Sequence, residues 1–165
     1  MIDLNQIEDN NVMGFIPQTT AVARVTEGKV AKDKNGVNYI RLDCELVSPD
    51  EVAYTDKDGK SQVALVASRK CGYFLFLGGK GIGRVKEFHK ALGLPMSIDP
   101  TNPDTTIYVG KAFSCIINSK VDPKIDGTTG RPIVDPTTGQ IVNNVNINIS
   151  QVFALAPEYT VPAAF

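Results

Sequence analysis

Apolar and polar residues alternate along much of this chain, with the two-residue period of strands that bury one face. The clearest run covers residues 37–47. Its inward parity holds Ile40, Leu42, Cys44 and Leu46, and its outward parity holds Tyr39, Arg41, Asp43 and Glu45. Similar runs at 18–27, 62–77, 106–120 and 143–155 bring the number of predicted strands to five. The third run contains Gly72, which predicts a bend in that strand.

Between the third and fourth runs, the spacing of apolar residues changes to that of a helix. The predicted helix runs from Ile82 to Leu92, follows a glycine-rich turn, and ends before Gly93 and Pro95. Residues 121–142 then carry two turn signals, each an aspartate followed by Thr-Thr-Gly after one further residue. These signals predict a long protruding hairpin between strands 4 and 5.

Three strands, one helix and two further strands are the connectivity of an OB-fold, whose usual ligand is an oligonucleotide. The predicted fold class is therefore mostly β. It is a five-stranded OB-fold barrel with one short helix between strands 3 and 4 and a long hairpin between strands 4 and 5. We divide the 165 residues into an irregular leader (1–17), an OB-fold nucleic-acid-binding domain (18–156) and a C-terminal tail (157–165).

Composition favours a reduced cytoplasmic protein. The three cysteines are odd in number and far apart, unlike the ligands of a disulfide framework or a zinc site. No apolar run approaches 18 residues, so we expect no membrane partner. Acidic residues near the N-terminus are atypical of a secretory signal. The expected location is the cytoplasm, or the host cytoplasm if the protein is viral.

Charge is unevenly distributed, although the net charge is only −1. Residues 24–41 carry a net +3 and residues 61–90 a net +5, whereas the remaining segments are acidic. A basic stripe on a nearly neutral protein can bind phosphates locally while the acids limit non-specific binding. The alternative interpretation is that these lysines and arginines only solvate exposed faces.

No constellation of residues predicts catalysis. The glycines at 78–83 lack the spacing of either standard phosphate-binding loop, so we interpret them as a flexible turn. His89 is the only histidine, which excludes a histidine-rich metal site, and no residues around it form the pattern of a catalytic triad. We interpret it as a surface or boundary residue. The segment 56–59 lacks the later ligands of a calcium loop. We expect a protein that is not an enzyme and that has no cofactor and no metal.

Aromatic and basic residues share the outward side of the early strands. Tyr39 and Arg41 project from one face of strand 2, with Arg24 expected nearby on strand 1 and Arg69 and Tyr73 at the bend of strand 3. Aromatic rings that stack on bases, next to cations that contact phosphates, bind single strands without sequence preference. The same residues could instead form a cross-strand pair that merely stabilises the sheet.

Most of the chain, roughly residues 18–156, resembles phage-encoded OB-fold single-stranded DNA-binding proteins. The segments that carry the resemblance are TAVARVTEGKVAKDKNGVNYIRLDCELVSP, GGKGIGRVKEFHKALGL, IYVGKAFSCIIN and NVNINISQVFAL. It implies sequence-tolerant binding of single-stranded DNA during DNA replication or recombination. The expected nucleic-acid-binding residues are Arg24, Lys32, Lys34, Tyr39, Arg41, Arg69, Lys70, Tyr73, Lys80, Lys120, Lys124 and Arg131.

The C-terminus departs from that family. Many single-strand binders end in an acidic tail tipped with phenylalanine, whereas this chain has Phe165 but only Glu158 nearby. The nearly uncharged tail is instead expected to pack in a groove, either on its own barrel or on a second copy of the chain bound along the same strand. A competing function, from a different class, is a viral structural or assembly β-domain with no nucleic-acid activity.

Overall fold

The computed structural model describes residues 15–155, which form seven strands and one α-helix. The strands are β1 (Thr19–Lys32), β2 (Asn38–Ser48), β3 (Glu51–Thr55), β4 (Ser61–Leu65), β5 (Lys70–Phe76), β6 (Ala112–Pro123) and β7 (Asn143–Phe153). The helix α1 (Ile82–Leu92) lies between β5 and β6, with single 3₁₀ turns at Gly79–Gly81 and Thr105–Ile107. The prediction of a mostly β protein with one short helix is confirmed.

Five of the strands form one antiparallel sheet in the order β5-β2-β1-β6-β7. The remaining two, β3 and β4, pair with each other as a separate hairpin. The single bent strand predicted at 62–77 is wrong, because a turn at 66–69 divides this run into β4 and β5. Ser68 adopts a positive φ of 70° there, a conformation that ends a strand. The helix therefore follows the fifth strand, not the third.

The sheet is not closed into a barrel, so the prediction of a closed five-stranded OB-fold barrel is wrong in this respect. Its edge strands β5 and β7 curl to within 8 Å of each other between Cα atoms. No ladder of hydrogen bonds joins them within residues 15–155. A gap therefore remains along this seam, at the beginning of β5.

The core lies inside the curled sheet, and β2 supplies its centre. Ile40, Leu42, Cys44 and Leu46 are all buried, as their parity predicts. Beneath them is an aromatic cluster in which the ring of Phe88 on α1 lies 5.0 Å from Tyr73, 5.2 Å from Phe113 and 6.0 Å from Tyr108, measured between centroids. The helix thus covers the interior at one end of the sheet.

His89 belongs to this buried layer, which corrects its prediction as a surface or boundary residue. Its ring is buried, with Nδ1 2.6 Å from the Pro95 carbonyl oxygen and Nε2 2.6 Å from the Tyr108 hydroxyl. A carbonyl oxygen can only accept, so Nδ1 carries a hydrogen and donates it to Pro95, and Nε2 shares a hydrogen bond with the Tyr108 hydroxyl. These two bonds tie α1 to the loops that follow it.

A long hairpin extends beyond the ladder of β6 and β7. Two short bridges, Ile125–Pro132 and Val134–Ile141, continue the pairing outward. Each of its two tips is closed by an aspartate: Asp126 Oδ1 accepts from the Thr128 N–H (2.7 Å), and Asp135 Oδ1 accepts from the Thr137 N–H (2.8 Å). These are the side-chain turns that the sequence signals indicate.

The predicted leader and tail lie largely outside the described part of the chain. Of the leader, Phe15 to Pro17 are described. Ile16 is fully buried, and its N–H donates to the Ser119 hydroxyl at 2.6 Å. The segment just before β1 is therefore packed into the fold. The tail at 157–165 is outside the described residues.

Candidate nucleic-acid interface

On the outer face of β2 and β5, residues directly opposite each other on the two strands form cross-strand pairs whose side chains lie close together. Leu77 N–H donates to the Asn38 carbonyl (3.1 Å), and Leu46 N–H donates to the Arg69 carbonyl (2.8 Å). Hydrogen-bonded pairs in this ladder therefore involve the even-numbered, inward residues of β2. The outward pairs, Tyr39–Phe76 and Arg41–Phe74, are non-hydrogen-bonded pairs, in which side chains approach most closely.

Three aromatic rings meet on this surface, and we call Tyr39, Phe74 and Phe76 the aromatic patch. The Tyr39 centroid lies 5.3 Å from that of Phe76 and 6.1 Å from that of Phe74, and the two phenylalanine rings are nearly parallel at 6.4 Å. Phe74 remains 40% exposed and Phe76 39%. Contiguous exposed rings of this kind are typical of binding surfaces, because folding gains little from them.

Cations flank the aromatic patch on its β1 side. Arg41 lies directly opposite Phe74 on one neighbouring strand and opposite Lys29 on the other. Arg41 contacts Asp43 (3.2 Å), a partly exposed ion pair, and Lys29 contacts Glu27 (3.5 Å), an exposed one. Exposed pairs of this type stabilise a protein by about 0–1 kcal/mol, so a phosphate can replace the carboxylate at little cost.

A polar cleft of about 460 Å³ opens next to the patch, in the gap between β5 and β7. We call it the seam cleft. Its walls include Arg41, Arg69 and Lys70 from the β2–β5 side and Asn146 from β7, together with the carboxylate of Asp43. Three of the predicted binding residues therefore line this cleft, together with the acidic residues Glu27 and Asp43.

Two predicted residues are not on this surface. Arg24 is only 8% exposed, because β1 is central in the sheet and both of its parities are buried from Ala21 to Val25. Tyr73 is 6% exposed and stacks on Phe88 in the core, with the Arg84 guanidinium 5.3 Å above its ring. Neither side chain is available to stack on a base or to follow a strand.

The other predicted cations are exposed but are not part of the patch or of the seam cleft. Lys32 and Lys34 are at the turn between β1 and β2, and Lys80 is in the 3₁₀ turn before α1. The remaining three belong to the long hairpin and its base: Lys120, which contacts Asp122 at 3.7 Å, Lys124 and Arg131. The structure thus arranges them as separate exposed charges on two turns and on the long hairpin with its base.

The sequence prediction missed Phe74, Phe76 and Lys29. In the run from Tyr73 to Leu77 every residue is apolar, so alternation alone cannot assign its faces. A signal was present just upstream, because Lys70 and Gly72 share the parity of Phe74 and Phe76 and indicate the solvent side. Lys29 follows from the register, which places it opposite Arg41.

The glycine cluster before α1 has a packing role. Gly79 adopts a φ of +60°, which favours glycine. A Cβ on Gly81 would lie 2.6 Å from Phe76 Cβ, and a Cβ on Gly78 would lie 2.9 Å from a methyl group of Val37. The glycines therefore let the chain turn closely around the end of β5, in agreement with the interpretation as a turn.

The cysteine thiols and the Tyr108 hydroxyl in and around the core are protonated at neutral pH. Burial raises the pKa of Cys71 to about 11 and that of Cys115 to about 12, and it also raises the pKa of the Cys44 thiol. Burial likewise raises the pKa of Tyr108 to about 12. All three cysteines are free thiols. Across residues 15–155, no group of three or more histidine, cysteine or acidic residues is arranged to hold a metal.

Comparison with known proteins assigns no family: no protein-family model matches the chain, and no curated protein matches it significantly. Within the described residues, no helix is both long enough and apolar enough to span a membrane.

Proposed function

We propose that this protein binds single-stranded DNA without sequence preference, in DNA replication or recombination, as phage-encoded single-strand binders do. The observation that carries the proposal is the aromatic patch, in which the exposed rings of Phe74 and Phe76 and the half-buried ring of Tyr39 are contiguous on the outer face of β2 and β5, with Arg41 beside them. Every base has a π-face, so stacking on such rings tolerates any sequence. The protein would act by binding and not as an enzyme, in the cytoplasm of the cell or of the viral host.

We further relate the sheet to a partly open OB-fold. Apart from the inserted β3–β4 hairpin, the sheet contains five antiparallel strands, and α1 follows the third of them along the chain. OB-folds bind oligonucleotides across their second and third strands, between the loops that follow the first and fourth strands. The corresponding elements are the faces of β2 and β5, the turn at 33–37 and the hairpin at 124–142. This correspondence supports binding at the aromatic patch.

In this proposal the aromatic rings stack on bases, and the basic side chains contact phosphates. Each stacked base contributes about 1–3 kcal/mol. Each cation that neutralises a phosphate of a single strand contributes roughly −0.7 to the log–log slope of affinity against salt. Arg41, Arg69 and Lys70 lie at one end of the patch, where the seam cleft would receive the backbone of a strand whose bases stack on the rings.

The test is direct binding of an oligo-dT of about 30 nucleotides, which exceeds the site size of a single OB-fold. We expect fluorescence anisotropy to show binding to this strand in preference to a duplex of equal length, weakening as salt increases. The protein has no tryptophan, so Phe74→Trp introduces a single reporter on the patch. We expect DNA to quench its emission. Absence of binding at low salt would overturn the proposal and favour the structural or assembly function.

A further inference from the structure

A second cavity, of about 390 Å³, opens at the end of the sheet beside the turn between β1 and β2. We call it the loop cavity, because the loop that follows α1 forms one of its sides and the β1–β2 hairpin forms the other. Its walls include the apolar side chains of Val30, Val37, Pro100 and Pro103. Of the described residues that line it, only Lys32 is charged. Apolar walls with a single cation suit a ligand that combines a flat apolar ring with a negative charge.

Hydrogen bonds fix the loop side of this cavity. The Asn38 side-chain amide on β2 donates to the carbonyl oxygens of Pro100 (2.9 Å) and Thr101 (3.2 Å). Within the loop, Asp99 Oδ1 accepts from the Thr101 N–H (2.9 Å) and hydroxyl (2.7 Å) and from the Asn102 N–H (3.3 Å). The loop is therefore tied both to itself and to the strand opposite. Because the cavity is preformed, a ligand loses little affinity to the ordering of the loop.

Val37 connects the loop cavity to the aromatic patch. Along the outward parity of β2 it comes next after Tyr39, about 7 Å further toward the turn. A Cβ on Gly78 would lie 2.9 Å from a methyl group of Val37, and Gly78 has the same parity as Phe76. The cross-strand row of Tyr39 and Phe76 therefore continues to Val37, which also lines the cavity. A strand that stacks on the patch and continues toward the turn reaches the cavity in the next step.

The interior of the loop cavity lies round the end of the sheet. Asn38 and Leu77 line it with Val37 although they have the inward parity, so a base must leave the stack to enter. The Asn102 amide is exposed and forms no hydrogen bond in the part of the chain that the structure describes. It can donate to, or accept from, the edge of any base. Within the same residues, no carboxylate oxygen lies within 4 Å of the Lys32 amine, which leaves this cation available to a phosphate.

We propose that the loop cavity binds one unstacked base of the DNA strand whose neighbouring bases stack on the aromatic patch. The proposal rests on the proposed function and adds a base-binding pocket to it. The apolar walls contact the base, the Asn102 amide hydrogen-bonds its edge, and Lys32 binds an adjoining phosphate. Small-molecule pockets have volumes of about 300–1,000 Å³, so a cavity of 390 Å³ suits one nucleotide and not several. Since an amide can pair with any base, the pocket fixes the position of the strand without requiring a particular sequence.

The experiment removes one base at a time from a short strand and combines each removal with a change in the cavity. The strand is the shortest oligo-dT that keeps full affinity, within the range of about 4–16 nucleotides for one OB-fold, and an abasic nucleotide replaces each thymidine in turn. Asn102→Ala removes the amide, and Val30→Trp fills the cavity from a position on β1 that is 45% exposed. Fluorescence anisotropy measures every Kd.

Both variants should bind the unmodified strand about two- to tenfold more weakly than the wild type, the effect of one lost hydrogen bond or of the excluded base. At one strand position, the abasic nucleotide should weaken wild-type binding by a similar factor and should weaken both variants by less than about twofold, because the cavity and that base act as a coupled pair. Phe74→Ala should keep the wild-type abasic effect at this position, since it changes the patch and not the cavity.

Val109→Trp and Asn144→Ala are matched controls at exposed positions outside the patch and both cavities, and they should bind like the wild type. Asn102→Ala changes an exposed loop side chain, so it decides the outcome if Val30→Trp fails to fold. Wild-type affinity of Asn102→Ala for the unmodified strand, or an abasic effect that persists in this variant at every position, would overturn the base-binding pocket while the stacking surface stands. If the wild type bound no strand at all, the proposed function itself would be wrong.

Discussion

Replacing Phe74 by alanine should weaken single-stranded DNA binding while leaving the protein folded. The ring is 40% exposed on the outer face of β5, so its removal opens no cavity in the core. Fully burying a phenylalanine stabilises a protein by about 1.5–3 kcal/mol, and the buried three-fifths of this ring then accounts for about 1–2 kcal/mol. The loss is small against a typical unfolding free energy of about 5–15 kcal/mol.

The effect on binding should be larger. One stacked base contributes about 1–3 kcal/mol, which corresponds to a rise in Kd of about five- to 150-fold. Fluorescence anisotropy with labelled oligo-dT measures the Kd, and urea unfolding of the same sample measures stability. Because Phe74 carries no charge, the slope of affinity against salt should not change. This combination, a weaker Kd at a constant salt slope, separates stacking from phosphate contacts.

Phe153 provides the matched control. It is also a strand phenylalanine, 44% exposed, but it lies at the end of β7 opposite Ser114 and outside the aromatic patch. Phe153→Ala should cost similar stability and leave the Kd unchanged. Phe74→Leu keeps an apolar side chain without a π-face and should bind nearly as weakly as Phe74→Ala. Equal Kd values for Phe74→Ala and the wild type would refute the assignment of the patch as the stacking surface.

Four further outcomes are expected. Leu42→Ala should lower the free energy of unfolding by about 2–5 kcal/mol, since Leu42 is fully buried in the core, and urea unfolding measures this change. Replacing residues 124–140 by a short Gly-Ser turn should give a folded protein with reduced affinity for oligo-dT, because Lys124 and Arg131 are removed; unchanged affinity would assign the hairpin to assembly. Stability should fall as pH rises above about 9, since the raised pKa values of Cys71 and Tyr108 keep both groups protonated in the fold while the unfolded chain ionises first. Each such group contributes a slope of up to about 1.4 kcal/mol per pH unit, and urea unfolding at about pH 8 and about pH 10.5 tests the sign. Deleting residues 157–165 should lower oligomer mass in light scattering and the steepness of binding while single-site binding persists; identical mass and steepness would show that the tail makes no contact between copies.

Strict alternation made β2 the most predictable element. Each of its inward residues was assigned to the core, and each is buried, because a strand with one apolar and one polar parity has only one favourable orientation. The strand predicted at 106–120 was only partly right: it begins at Ala112, after a 3₁₀ turn at Thr105–Ile107 and the exposed Val109, and Phe113, Cys115 and Ile117 on one parity of it are buried. The end of α1 was also predicted correctly from Gly93. This glycine adopts a φ of +66°, and the Leu94 N–H donates back to the His89 carbonyl, as at many helix C-termini.

The alternation of apolar and polar residues could not predict the boundary between the two apolar strands β4 and β5. The run at 62–77 lacks a proline or an Asn-Gly pair, so the turn that separates β4 from β5 left no clear signal. The positive φ of Ser68 is set by tertiary contacts, since the N–H of this residue donates to the Leu46 carbonyl on β2. The open seam could not be predicted either, because whether β5 and β7 pair depends on the curvature of the whole sheet, and in this sheet they do not.

The two faces of β5 show why the binding surface had to be found in the structure. Tyr73 and Leu75 on one parity pack inside the sheet, and Phe74 and Phe76 on the other remain two-fifths exposed. Within the run from Tyr73 to Leu77 the two sets are equivalent, since both are large and apolar, and only Lys70 and Gly72 upstream indicate the solvent side. Their energetic roles differ, because the inward set builds the core, whereas the outward set adds little stability and leaves apolar surface in water. A requirement for folding explains the first set only, and the proposed function accounts for the second, since bases stacked on these rings would cover them.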